Sequence, residues 1–434
     1  MSALSDAAQA LLGAARRAGA DVAEVVLQHG AAVSVQRRLG KIEETERAET
    51  REIALRVFIG RASAAVSASA IDEAGFARLA EQAVSMARVV PEDPYAEIPQ
   101  APPPLDAAFL ELDGQVEPEM EVLIDRAAAA EEAALSVPGI TNSEGASASW
   151  SRAISVLATS HGFVGEYARS NHGLSVTAIA GAGVDMQRDY DFSSALHGED
   201  LDNPVTLGRH AAARALARLN PTRPATARLP VLFHPRVAGS ILGHLAGAIS
   251  GGAIARGTSF LKDALGKPVF APGITITDDP LRVRGLRSRP FDREGQPVAA
   301  MNFIEDGVLT GWILDTRSAN QLGLKTNGHA GGLANFYMAA GRLNQAELMA
   351  DIAEGLFVTE LIGMGVNGLT GDYSRGAAGF MIRNGVLAEP VAEFTIAGNL
   401  KDMFLNITAA SDLTFKRGTD APTLRIEGMI LAGA

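Results

Sequence analysis

The chain contains no cysteine among its 434 residues. This absence excludes disulfide bonds, thiol nucleophiles, iron–sulfur clusters and every zinc site that needs a thiolate. Aromatic residues are scarce at 5%, whereas 45 residues are glycine, which favours small-residue packing and many turns. The length corresponds to roughly three domains, enough to bury a large core without metal or disulfide cross-links.

Basic residues are also in deficit, because 38 lysines and arginines face 50 aspartates and glutamates, for a net charge of −12. Such an acidic chain is a poor ligand for phosphate backbones, so we expect no nucleic-acid partner. No uninterrupted apolar run approaches the roughly 20 residues that span a bilayer. Asp6, Arg16 and Arg17 interrupt any signal-peptide pattern. The sequence predicts a cytoplasmic protein without a membrane partner.

The hydrophobic pattern predicts a multi-domain α+β fold, with a mixed α/β N-terminal region and a β-rich C-terminal domain that carries a glycine-rich helix. Residues 1–90 are predicted to form a first α+β domain and residues 109–225 a second α+β region. Prolines cluster between them, so residues 91–108 are predicted to be a stiff linker. Residues 226–434 then form the β-rich domain.

The first domain begins with an amphipathic helix over residues 4–18. Short alternating segments follow over residues 22–68 and predict a β-meander, with turns expected at Gly30, Gly40 and Gly60.

The glycine-rich helix of the C-terminal domain is expected to begin at Pro235. Its small residues at positions 239, 243 and 247 permit close packing.

Metal-binding patterns are weak. The chain has 8 histidines, and no two of them have the spacing that places a pair of imidazoles on adjacent helical turns. The stretch from Asp189 to Ser193 begins like a calcium loop, but Ser194 replaces the required glycine and Asp200 the final glutamate. We therefore predict a solvated acidic loop there.

Two other motifs lack the context that their chemistry needs. Gly363, Gly365 and Gly368 match a dinucleotide fingerprint, but no helix follows to bind a pyrophosphate, so a glycine-rich β-loop is predicted. Ser259 and Lys262 fit the S-x-x-K pattern of serine acylases without the companion motifs of those enzymes.

The segment VTELIGMGVNGLTGDYSRGAAGFMIRNG, continuing through PVAEFTIAGNLKDM, closely resembles the hallmark of the TldD/PmbA metalloprotease family, on its PmbA (TldE) side. LFHPRVAGSILGHLAGAISGGAIARGTSFLKD, MQRDYDFS and TLRIEGMILAG support the resemblance, which extends over essentially the whole chain. It implies a two-subunit cytoplasmic protease that trims leader peptides and degrades unfolded antitoxins. In such complexes the TldD-type subunit holds the catalytic metal through HExxxH and a cysteine.

The resemblance places the two metal-binding histidines of that motif at Gly243 and Ala248, and its general-base glutamate at His244. It therefore implies that this chain has no catalytic or metal-binding residues and binds no cofactor. Zinc is expected on a TldD-type partner subunit. The polar segment of the hallmark is expected to be a loop lining an inter-subunit chamber or peptide groove, through Asp372, Tyr373, Ser374, Arg375 and Asn399. Arg375 and Asp372 either grip the substrate or pair with each other.

Three functions stay open. The leading one is a subunit of a metallopeptidase complex, not catalytic alone, whose substrate is an extended or unfolded peptide added as a strand to a sheet edge. The second is a free-standing peptide-binding or chaperone-like homo-oligomer, and a homodimer is compatible with both. The third is a metal-independent hydrolase that uses a serine such as Ser259 or a lysine.

Overall fold

The computed structural model describes residues 2–69 and 73–434. Four strands of 17, 19, 20 and 17 residues dominate its N-terminal half. The elements of this half are α1 (Ala3–Ala18), β1 (Val22–Arg38), β2 (Lys41–Ile59), β3 (Ala62–Ala68), α2 (Glu73–Ala87), α3 (Met120–Leu135), β4 (Ile140–Thr159), β5 (Val164–Ala180), β6 (Gln187–Ala195) and α4 (Pro204–Ala217).

These strands form one antiparallel sheet in the order β3-β2-β1-β4-β5-β6. Gly40 and Gly60 make the predicted turns, with φ of 77° and 56°. The turn expected at Gly30 is wrong, because Gly30 pairs with Thr50 on one side and Ala153 on the other, inside β1. A Cβ there would lie 3.0 Å from the Thr50 hydroxyl, so glycine permits a close side-chain approach within the sheet.

Helices cover one face of this sheet. Ser2 caps the first turn of α1 through the Ser5 N–H, and Gly19 ends the helix in a left-handed conformation. Alternate strand residues such as Val25 and Leu55 are buried beneath α1 and α2. A second cluster lies beneath α3 and α4. The other face of the sheet meets the C-terminal domain.

The proline-rich segment lies along this body. Ala96 and Ile98 pack on Phe58, and Leu110 and Leu112 are buried against residues of the C-terminal domain. Strands from both predicted N-terminal regions share one sheet. The domain boundaries at residues 90, 108 and 225 stay a prediction.

The C-terminal half contains shorter elements. They are β7 (Ala227–Phe233), α5 (Pro235–Ala248), α6 (Gly251–Ala255), β8 (Ile276–Asp278), β9 (Met301–Glu305), β10 (Val308–Leu309), α7 (Thr316–Leu322), β11 (Phe336–Met338), α8 (Gln345–Met349), β12 (Glu354–Val366), β13 (Asp372–Arg383), β14 (Val386–Asn399), α9 (Leu400–Leu405), β15 (Ile407–Ala409), β16 (Thr419–Asp420) and β17 (Leu424–Ala432).

The main C-terminal sheet closes on itself. Its strand order is β14-β13-β12-β7-β17-β15, and β14 also pairs with β17. A smaller sheet has the order β10-β9-β8-β11-β16. Residues of α5, such as Ile241 and Leu245, share one core with Phe233 and Ile426 of the main sheet. The predicted α+β fold with a strand-rich C-terminal domain is confirmed.

Helix α5 begins as predicted at Pro235, after His234, whose Nδ1 accepts the Arg236 N–H at 3.1 Å. Close packing is confirmed only at Gly239, where a Cβ would lie 2.8 Å from the Thr419 carbonyl oxygen. A Cβ at Gly243 or at position 247 would meet nothing within 4 Å. These two glycines therefore leave one face of α5 open.

Among the helices of residues 2–69 and 73–434, none combines the length and the apolar character that crossing a membrane requires.

Candidate functional site

Helix α5 and strand β13 bring three of the singled-out residues together. The buried side of α5 carries Ile241 and Leu245, whereas Gly243 is exposed and His244 is half-buried. The ring of His244 meets the ring of Tyr373 edge to face, with centroids 5.7 Å apart. The charge of Arg375 acts on His244 as well. We call His244, Tyr373 and Arg375 the His244 cluster.

The hallmark segment is a strand, not the predicted loop. Residues from Asp372 onward pair with β12 and β14, so successive side chains alternate between two faces. Asp372 and Ser374 point to the exposed face, whereas Tyr373 and Arg375 are only 1% and 9% exposed. The expectation that all four line a loop is corrected, because strand geometry buries every second residue.

Each member of the His244 cluster keeps a buried polar atom without a hydrogen-bond partner in the described structure: Nε2 of His244, the hydroxyl of Tyr373 and Nε of Arg375. Burial, followed by the charge of Arg375, lowers the pKa of His244. Burial also raises the pKa of Tyr373. At neutral pH the imidazole is therefore neutral and the phenol protonated.

These groups can donate hydrogen bonds to a carbonyl or carboxylate. The cluster has no carboxylate to act as a general base, and α5 offers one imidazole, since Gly243 and Ala248 have no donor atoms. Zinc needs three or four ligands. Within the described ranges, no group of three or more histidine, aspartate and glutamate side chains is arranged to hold a metal. The residues on α5 do not fit a hydrolytic metal ion.

Asp372 and Asn399 form a corner at the start of β13. The Asp372 carboxylate accepts hydrogen bonds from Asn399 Nδ2 at 3.0 Å and from the Thr370 hydroxyl at 2.7 Å. These bonds lower the pKa of Asp372. Asn399 also caps α9 through the Lys401 N–H. Asp372 and Arg375 lie on opposite faces of β13, so the suggested pairing between them is wrong.

Strand β12 presents an open edge beside this cluster. Strand β7 pairs with β12 only at residues 356–358. Beyond them, residues 360–366 pair with β13, and no described strand pairs with their other side. Ile362 and Met364 on this stretch are 59% and 80% exposed. We call residues 360–366 the β12 edge; open strand edges with apolar side chains are typical docking sites for another strand.

The predicted glycine-rich β-loop at residues 363–368 is confirmed as the end of β12 and its turn. The Ser259 hydroxyl is buried and donates to the Ala248 carbonyl at 2.6 Å. Lys262 lies at the surface beside Asp263, at 3.2 Å. The S-x-x-K pair is therefore not assembled as a nucleophile and its base.

The stretch predicted to be a solvated acidic loop is instead strand β6, and its aspartates are buried. Asp189, 3% exposed, binds Arg236 at 2.6 Å and Arg218 at 3.2 Å. Asp191 binds Arg214 at 2.9 Å. We call these five residues the Asp189 network. It joins β6 and α4 to α5, and Arg218 also reaches Glu360 of β12.

The spacing of residues in the sequence indicates part of the Asp189 network. Asp189 and Asp191 are two residues apart, so they share one strand face, and Arg214 and Arg218 are four apart on one helix face. The partner on α5, Arg236, has no such local signal.

Comparison with known proteins shows the family to which the chain belongs. The domain 1 profile of the PmbA/TldA metallopeptidases matches residues 23–87, the central domain profile residues 115–219, and the C-terminal domain profile residues 226–433. The chain therefore belongs to the PmbA/TldD metallopeptidase family.

Individual relatives cover nearly the full length. The Metalloprotease PmbA of Escherichia coli O157:H7 is 38% identical over 416 residues, 95% of this chain and 92% of its own. The Metalloprotease PmbA homolog of Haemophilus influenzae is 34% identical over 423 residues, 96% and 94% of the two chains. The crystal structure of TldE from Thermococcus kodakarensis has a TM-score of 0.85 at 18% identity and covers 98% of this chain and 100% of its own. This last likeness concerns the fold.

Proposed function

We propose that the chain is the PmbA/TldE-type, non-catalytic subunit of a cytoplasmic metalloprotease complex that cleaves unfolded or leader peptides. In this proposal a TldD-type partner supplies zinc and its ligands, and this chain binds no metal. The observation that carries it is the composition of α5 in a chain of a metallopeptidase family. His244 offers one nitrogen donor, and Gly243 and Ala248 offer none.

The role proposed for this subunit is to hold the peptide or the partner beside the partner's metal. The β12 edge supports this role, because a strand added there would gain main-chain hydrogen bonds without a demand for a particular sequence. Arg375 and Tyr373 lie one strand away on β13. Both side chains are buried, so the main chain of the β12 edge, and not their hydrogen-bond donors, would hold the peptide.

Reconstitution tests the proposal. The chain and a TldD-type subunit from the same organism are purified separately, and cleavage of an unfolded peptide is measured for each and for the mixture. We expect activity with the mixture, its loss on chelation and its return with zinc. His244→Ala in this chain should leave kcat unchanged, whereas removal of the partner's motif histidines should abolish cleavage. Chelator-sensitive cleavage by this chain alone would refute the proposal.

The β12 edge is tested with Met364→Lys, since a charged edge residue opposes strand addition. The matched control is Val184→Lys, which changes an exposed apolar residue of the N-terminal half. We expect the first variant to raise KM or weaken assembly of the mixture and the second to do neither. Equal behaviour of both variants would exclude the edge from peptide and partner binding.

A free-standing peptide-binding homo-oligomer is the second candidate, because the same exposed edge can pair with a second copy of the chain or with a peptide. It predicts peptide binding without turnover in the presence of a TldD-type subunit, and no complex between the two proteins by size-exclusion chromatography.

A further inference from the structure

A cavity of about 540 Å³ lies where the open face of the N-terminal sheet meets the C-terminal domain. Strands β1, β4 and β5 form its floor, and residues 287–293 with residues 331–333 form its roof. It lies apart from the His244 cluster and from the β12 edge, and no residue of either lines it. We call it the arginine cavity.

Two arginines of the arginine cavity, one on its floor and one on its roof, form no ion pair with the described residues. Arg169 of β5 donates to the carbonyl oxygens of Leu286, at 3.2 Å, and Ser288. Arg289 of the roof donates to the carbonyl oxygen of Gly332. Among the described residues, the Nε–H of each arginine has no hydrogen-bond partner. Neither guanidinium forms an ion pair with any carboxylate of the described residues, whereas Arg218 and Arg236 both do.

Neutral carbonyls satisfy hydrogen bonds but do not balance charge. Burial lowers the pKa of Arg169 most, and the neighbouring charge of Arg289 lowers it further. Two desolvated cations that repel each other are costly unless an anion lies near both.

Asp292 of the arginine cavity and the nearby Asp278 favour the charged form of Arg289, but neither forms an ion pair with it in the described structure. Asp292 is already engaged by the main-chain N–H groups of Glu294, Gln296 and Ala330, at 2.8–2.9 Å. Burial raises the pKa of Glu24 to about 7, so this group is partly protonated at neutral pH. Its Oε2 also has no hydrogen-bond partner.

The rest of the wall is apolar. The rings of Tyr167 and Phe291 meet edge to face with centroids 5.5 Å apart. Val26, Leu157 and Leu333 complete this side. A ligand that fits both halves carries one compact anionic group and an apolar body.

We propose that the arginine cavity binds a small organic carboxylate, with its anion between Arg169 and Arg289 and its apolar body against Tyr167 and Phe291. A carboxylate matches the planar guanidinium fork. A carboxylate also carries only one negative charge, so Glu24 and Asp292 repel it less than they would repel a dianion. Inorganic phosphate shares the anionic chemistry but has no apolar body to cover the aromatic wall.

Calorimetry and thermal unfolding of the full chain with phenylpropionate, its neutral amide and inorganic phosphate test the proposal. We expect phenylpropionate to bind and to raise Tm with concentration. The amide and Arg289→Met should each weaken binding by about ten- to a hundredfold, the effect of losing a charged hydrogen bond. The matched control is Arg342→Met at an exposed site outside the cavity, which should bind as the unchanged protein does.

Arg289→Met should also unfold at the same or a higher temperature than the unchanged protein without ligand, because it removes an unbalanced buried charge. If this variant does not fold, Arg289→Lys, which loses the planar fork, serves the same binding comparison. Absence of phenylpropionate binding, equal binding of the amide, or equal binding to the folded Arg289 variant would overturn the proposal. Phosphate binding as tight as that of phenylpropionate would overturn the assignment to an organic carboxylate.

Discussion

Two of the junctions between the N-terminal half and the C-terminal domain differ in how their buried charges are balanced. In the Asp189 network, Asp189 lies between Arg218 and Arg236 at ion-pair distance. In the arginine cavity, Arg169 and Arg289 find only main-chain carbonyls. Paired buried charges hold surfaces in register, whereas unpaired charges around a cavity indicate space for a ligand. The residue types alone do not distinguish the two cases.

The largest effect is expected when the paired junction is broken. Asp189→Asn leaves Arg218 and Arg236 buried without a counter-charge, which should cost about 3–5 kcal/mol of unfolding free energy. Chemical denaturation measures the loss. The control is Asp263→Asn, which touches only the exposed Lys262 and should change stability by less than about 0.5 kcal/mol. A loss no larger than the control's would contradict the stabilising role of the network.

Neutralising Glu24 in the arginine cavity should instead raise the free energy of unfolding. Its pKa is raised in the folded chain from 4.5 to about 7, so the folded state holds the proton longer than the unfolded state. Stability should therefore fall as pH rises from about 4.5 to about 7 and stay level above that. Glu24→Gln should remove this fall and gain about 3 kcal/mol at pH 8. Denaturation at several pH values measures both, with the exposed Glu43→Gln as control. A pH dependence identical to that of the unchanged protein would show that Glu24 is not the titrating group.

The His244 cluster should behave like the unpaired junction on a smaller scale. Tyr373→Phe removes a buried hydroxyl without a partner, so it should raise the unfolding free energy of the isolated chain by about 1 kcal/mol. Tyr95→Phe, at an exposed site, is the control for thermal and chemical denaturation. Destabilisation by Tyr373→Phe would mean that the hydroxyl is already satisfied in the free chain.

The smallest effect is expected at Ser259. Its hydroxyl donates to the Ala248 carbonyl oxygen and accepts from the Leu261 N–H at 3.0 Å, so Ser259→Ala should cost about 1 kcal/mol and leave the activity of the reconstituted complex unchanged. Serine-reactive probes should label neither this variant nor the unchanged chain at that position. Labelling of Ser259, or loss of cleavage in the folded variant, would favour the metal-independent hydrolase.

The sequence predicts the parts of this molecule that depend on local pattern. Helix α1 and the meander turns at Gly40 and Gly60 follow from periodicity and turn residues. The prediction of a loop at Tyr373 was wrong. Polar residues between glycines are typical of a turn, and the sequence pattern alone therefore favoured a loop. Three-dimensional pairing instead places the segment inside a sheet, where alternate side chains are buried.

The sequence predicts which residues belong to the candidate site, but not how they are arranged. The resemblance selected His244 and Tyr373, but the contact of their rings depends on how α5 packs against β13, and the two residues lie far apart in sequence. The buried role of Asp189 depends on Arg236 in the same way. The open face at Gly243 required the structure too, because a helical glycine permits either close packing or an unfilled surface.

Zinc content per chain tests the central claim most directly. The isolated protein and its complex with a TldD-type subunit are loaded with zinc, dialysed and measured by elemental analysis. The account predicts no tightly bound zinc in the isolated chain and zinc in the complex that disappears when the partner's motif histidines are replaced. A tightly held zinc ion in the isolated chain, lost in His244→Ala, would contradict it.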